Sequence, residues 1–162
     1  MGADLYIEKI HQPLAAKYEP LFSEAVRRRD SLPKNSKETE AAQREVTKYF
    51  DLMYSAGYFR DSYNATSVLW RLGLSWWEDV IPLCTQKHEL KWDKLRKFRD
   101  MVANAELKLP TREEIEKHGG IVEDQGRDSL AEWHSYFTEK RANLLAFLDQ
   151  AIELNTAIRC SL

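Results

Sequence analysis

The densest chemistry in the chain lies between Tyr49 and Trp77, where nine of its 18 aromatic residues fall. At the centre is Gly57-Tyr58-Phe59-Arg60-Asp61-Ser62-Tyr63-Asn64, and further on come Trp70-Arg71 and Ser75-Trp76-Trp77. Flat rings offer π-faces to a base or to another ring. Arginine grips a carboxylate or phosphate with two parallel hydrogen bonds, and Asp or Asn reads polar edges. This mixture suits a partner's hot-spot residue or a small anionic, nucleotide-like ligand. The expected roles are Tyr58, Tyr63, Trp76 and Trp77 as stacking surfaces and Arg60 and Arg71 as anion contacts, with Asp61 and Asn64 orienting Arg60. The competing account packs Tyr58, Phe59 and the tryptophans into a short-helix core, with Arg60 and Asp61 as a local ion pair.

Other chemistries find less support. Glu8 and His11 form one Glu-x-x-His unit, whereas a di-iron bundle needs two with further carboxylates. Glu114 and His118 sit one helical turn apart without a second pair, and His-x-x-x-His is missing. The histidines read as solvated surface residues, and neither metal nor cofactor is expected. There is no Gly-x-Ser-x-Gly, phosphate loop or dinucleotide fingerprint. Cys84 and Cys160 stand far apart without Cys-x-x-Cys spacing, which fits a reducing cytoplasm, and Cys84 reads as a small buried hydrophobe.

Two short stretches carry a resemblance. The opening Met1-Gly2-Ala3-Asp4-Leu5-Tyr6-Ile7 and the centre Gly57–Asn64 followed by Leu72-Gly73-Leu74-Ser75-Trp76-Trp77 resemble small uncharacterised proteins of bacterial and phage genomes. The resemblance implies an intracellular setting, on a mobile element, where small binders and inhibitors are common. It brings no catalytic residue with it.

The elements that must position these residues read as helical throughout. Helices are expected over about 12–31 with a kink or a break near Glu19, ahead of Pro20, then 36–56, 65–72, a segment from Ser75 interrupted at Pro82, 89–106, and 130–158. Thr111 with Glu114 and Ser129 with Glu132 read as capping boxes, and residues 119–128 as a loop. Asp4-Leu5-Tyr6-Ile7 fits either a short strand or a helical turn, and 58–64 reads as a loop. The expected fold is all-α, an irregular four-helix bundle with short helices inserted between residues 57 and 84, in one domain over 1–162.

Composition sets the outer bounds. The 162 residues carry 24 Lys plus Arg against 26 Asp plus Glu, a net charge of −2. That balance disfavours a dedicated nucleic-acid binder, although residues 86–99 hold a local excess of cations that could steer a polyanion. The longest apolar run is Leu144–Leu148, far short of a membrane span, and no secretory signal is read at the start. The sequence therefore points to a cytoplasmic, non-enzymatic helical protein that binds a partner protein or a small anion. A hydrolase using carboxylates and a histidine from separate helices, and a self-associating structural subunit, are the alternatives. Trp76, Trp77 and Trp92 are more large rings than a short bundle readily covers, so a homodimer or a partner-covered face is expected.

Overall fold

A computed structural model describes residues 2–117 and 130–162. It corrects the all-α expectation. Four short strands, β1 (Gly2–Tyr6), β2 (Tyr58–Ser62), β3 (Glu89–Leu90) and β4 (Ile158–Ser161), form one sheet in the order β2-β1-β4-β3, so the fold is α+β rather than a four-helix bundle. The helices among the described residues are α1 (Glu8–Asp30), α2 (Lys37–Met53), α3 (Val68–Arg71), α4 (Trp92–Asn104), α5 (Arg112–Lys117) and α6 (Leu130–Glu153). A π-helical segment, Trp76–Val80, and a 3-10 turn, Ile81–Leu83, lie between α3 and β3.

Each strand has at most five residues, which is why helical periodicity overshadowed them. Their burial nevertheless alternates: Ala3 and Leu5 of β1, Phe59 and Asp61 of β2, and Ile158 and Cys160 of β4 all point inward. Residues 158–161 lie outside the last helix because it ends earlier. Asn155 takes a left-handed φ of 46°, and Thr156 N donates to Ala151 O at 3.0 Å, which closes the helix end and releases the chain into β4.

The chain divides into two compact units, Tyr6–Tyr58 and Met1–Leu5 with Phe59–Leu162. In the first, α1 and α2 form an antiparallel hairpin: Arg28 pairs with Glu45 at 3.3 Å, Arg29 donates to Gln43 at 3.0 Å, and the Phe22 and Phe50 rings are 6.2 Å apart. Helix α1 starts at Glu8 and runs through both Pro13 and Pro20, so the helix is not broken near Glu19. Ser36 caps α2 by accepting from Thr39 N at 3.1 Å. The first unit also holds a chain of rings, Tyr6, His11, Phe50, Tyr54 and Tyr58, with neighbouring centroids 4.6–5.3 Å apart. His11 is buried among them, contrary to its reading as a solvated histidine.

In the second unit α4 and α6 pack together. Leu95, Phe98 and Val102 of α4 are buried, as are Trp133, Phe137, Leu144, Phe147, Leu148 and Ala151 of α6. Arg99 binds Asp149 with two hydrogen bonds, at 2.8 and 3.4 Å. Arg141 Nη2 donates to the carbonyls of Val102, Ala103 and Ala105 at 2.8–3.2 Å and satisfies the end of α4. The Thr111–Glu114 capping box forms as the sequence implies, with Thr111 N donating to Glu114 at 2.8 Å and Glu114 N to Thr111 at 3.2 Å. The expected loop at 119–128 and the Ser129 cap lie outside the described residues.

Candidate functional site

Alternation along β2 turns Asp61 inward, where its side chain is fully buried. The carboxylate accepts from Ser67 Oγ at 2.6 Å, from the Val68 and Leu69 backbone N–H groups at 3.0 and 3.4 Å, and from Trp76 Nε1 at 2.9 Å. Lys140 of α6 reaches it at 3.0 Å and also donates to Tyr136 Oη at 2.7 Å. A buried carboxylate needs this full set of donors. It organises the first turn of α3, whose four residues are too few to hold a helix by propensity. Asp61 and Trp76 are therefore internal struts, and the expected pairing of Asp61 with Arg60 is replaced by one with Lys140.

The remaining predicted residues disperse. Arg60 points out of the strand and its nearest acid is Asp4, at 3.7 Å. Tyr58 belongs to the first unit, against Tyr54 and Tyr6. Asn64 Oδ1 accepts from Thr66 N and Oγ1 at 3.0 and 2.7 Å, a local turn motif that occupies the side-chain oxygen expected to read a ligand. Tyr63 and Trp77 stand together with ring centroids 5.4 Å apart. Burial, and after it the negative charge of Asp4, pushes the Tyr63 phenol above its ordinary pKa, and its oxygen has no partner among the described residues. Trp77 is 55% exposed. The Glu114–His118 pair lies outside the described residues at His118.

Arg71 is the predicted residue that lines an open groove. The groove has a volume of about 470 Å³, and its walls come from Trp70, Arg71, Gly73, Leu74, Ser75, Glu78, Asp79, Lys108 and Glu114. Trp70 forms one wall and is 54% exposed. The Arg71 guanidinium is sandwiched, its carbon 5.3 Å from the Trp70 ring centroid and 5.2 Å from that of Phe137. One arm reaches Glu114 at 3.4 Å, while Nε is buried without a partner among the described residues. Lys108 N donates to Arg71 O at 2.8 Å and ties the opposite wall to α3.

Two of the three acids in the groove already hold backbone. Asp79 accepts from Ser75 N at 2.7 Å, and Glu114 from Thr111 N at 2.8 Å. Asp79 thus returns the cap begun by Ser75, whose hydroxyl accepts from Trp77 N and Glu78 N. What the groove can offer a ligand is an indole wall, the apolar Leu74 and the cations of Arg71 and Lys108. Sequence reasoning passed over Trp70, Leu74 and Lys108. The Trp70-Arg71 dipeptide was the available signal, but Lys108 arrives from a separate segment. Among the described residues no group of three or more His, Cys, Asp or Glu is placed to hold a metal ion, and no helix is long and apolar enough to cross a membrane.

Comparison of the chain with protein-family models, with curated proteins and with solved structures gives no match in any of the three.

Proposed function

We propose that the protein acts by binding, without chemistry of its own, and that it recognises a partner protein at the groove beside Trp70. A carboxylate of the partner meets Arg71 and Lys108, and an apolar or aromatic side chain lies against the Trp70 indole and Leu74. The observation that carries this reading is the exposure of Trp70 and Trp77, at 54% and 55%, on the same short segment as a sandwiched arginine. Covering the exposed half of one indole removes on the order of 100 Å² of apolar surface and is worth about 2–3 kcal/mol. Tryptophan and arginine are also the residues most often found at the energetic centre of interfaces.

The test is selection of a displayed random peptide library on the immobilised protein, with counter-selection on Trp70→Ala. The expected result is enrichment of peptides with an acidic residue close to an aromatic or large aliphatic one. Their affinity should fall at least tenfold in Trp70→Ala and in Lys108→Ala, while both variants keep the wild-type circular dichroism spectrum. Peptides that bind wild type and both variants equally would overturn the reading. Self-association is the second reading, favoured by Trp92, 63% exposed at the start of α4. Sedimentation velocity across a wide concentration range separates it from partner binding.

A further inference from the structure

Cys84 and Cys160, distant in sequence, meet in the fold. The 3-10 turn delivers Cys84 into extended backbone, and Thr85 N then donates to Glu89 O at 2.9 Å while His88 N donates to Thr85 O at 2.9 Å. The chain folds back tightly on itself and enters β3. That strand pairs antiparallel with β4 in the register Glu89↔Arg159 and Leu90↔Ile158, and Cys160 N donates to His88 O at 2.8 Å. Turn and strand thereby bring Cys84 and Cys160 together beside the β3–β4 pair, close enough for each sulfur to act on the ionisation of the other. Cys84 Sγ also lies 3.5 Å from Val80 O.

The pair is asymmetric. Cys160 is 4% exposed, whereas Cys84 is only half-buried and can be reached from solvent. The neighbouring Cys160 favours the thiolate of Cys84 against the opposing effect of burial. Cys160 is held protonated by its neighbour Cys84 and by its burial. An accessible sulfur with thiolate character beside a protonated, sheltered one is the arrangement of an attacking and a resolving thiol.

We propose that Cys84 and Cys160 are a reversible oxidation site that closes to an intramolecular disulfide when the protein meets a peroxide. The Cys84 thiolate attacks one peroxide oxygen. An S–O bond forms, the O–O bond breaks, and the departing hydroxide takes a proton to become water, so that sulfur is oxidised and peroxide reduced. Cys160 then gives up its proton, and its sulfur attacks the sulfenic sulfur of Cys84. The S–S bond forms as the S–O bond breaks, and the oxygen leaves as a second water. A dithiol reductant reverses the bond by exchange. The bond ties the turn that follows the Trp76–Val80 segment to β4, and the inference stands independently of the groove.

The experiment treats the reduced full-length protein with one equivalent of hydrogen peroxide, followed by thiol titration, intact mass measurement and a non-reducing peptide map. The expected result is loss of both free thiols and of the mass of two hydrogens, with a Cys84–Cys160 linked peptide that dithiothreitol separates. In Cys160→Ser, Cys84 should accumulate as a sulfenic acid captured by dimedone, and in Cys84→Ser, Cys160 should stay reduced. Two thiols remaining in the oxidised wild type would overturn the proposal, as would covalent dimers or further oxygen addition without the linked peptide. The wild-type peptide map decides the matter even if a variant does not fold.

Discussion

Lys140 Nζ lies 3.0 Å from Asp61 Oδ1 and joins the longest helix of the second unit to the inward face of β2. The lysine side chain is 15% exposed and the aspartate not at all, so neither charge is well hydrated. The two are held by what surrounds them: Ser67, two backbone N–H groups and Trp76 on the carboxylate, and the Tyr136 hydroxyl on the amine. A buried pair of this kind tolerates removal of one partner poorly, because the other is left without its counter-charge.

Asp61→Ala should therefore cost about 3–5 kcal/mol, since it strands Lys140 and four further donors together. Lys140→Met should cost less, about 1–3 kcal/mol, because the carboxylate keeps its remaining hydrogen bonds. Urea denaturation midpoints at constant slope check both. Equal losses in the two variants would show that the Ser67, Trp76 and backbone donors contribute little.

Arg60→Ala should change stability by no more than about 0.5 kcal/mol, since the side chain is 59% exposed and its distance to Asp4 is 3.7 Å. Thermal melts of Arg60→Ala beside Asp61→Ala separate an exposed strand residue from an internal strut three atoms of backbone away from it. A marked loss in Arg60→Ala would place it in a network that its exposure argues against.

Gly57 and Gly73 both adopt left-handed backbone, with φ of 67° and 68°, yet their surroundings differ. A Cβ at Gly73 would meet nothing within 4 Å, so Gly73→Ala should cost about 1–2 kcal/mol from backbone strain alone. At Gly57 it would come within 2.8 Å of Ile10 Cβ and 2.9 Å of His11 N, so the same change should cost at least twice as much. Differential scanning calorimetry of the two variants ranks them directly.

Alkylation of Cys84 by iodoacetamide should begin at lower pH in wild type than in Cys160→Ala. The neighbouring Cys160 favours the anionic form of the Cys84 sulfur, so the reactive thiolate persists further down the pH scale when Cys160 is present. The adjacent charged group, Arg159, is retained in both proteins and cancels in the comparison. Stopped-time alkylation from pH 6 to 10, read by peptide mass, gives the two profiles, and coincident midpoints would remove Cys160 from the account.

Much of this protein could be read from residue order alone. The hydrophobic stripes of α2, α4 and α6, the Ser75 and Thr111 caps and the left-handed glycines follow from interactions that reach no further than a helical turn, and such signals are complete within the sequence. The aromatic and arginine content of 57–77 drew attention to a region from which Trp70, Arg71 and Ser75 line a groove. The sheet was hidden because two to five residues of alternation carry little information, and because β1, β2, β3 and β4 find one another across the whole length of the chain. Asp61 looked like a ligand residue until Lys140 and Trp76 arrived to satisfy it. Cys84 and Cys160 looked like isolated thiols until the register of β3 with β4 joined them. The sequence determined which residues could form helices, caps and contacts. Tertiary structure alone decided which polar groups are paired, because burial and partnership depend on atoms that the chain supplies from far away.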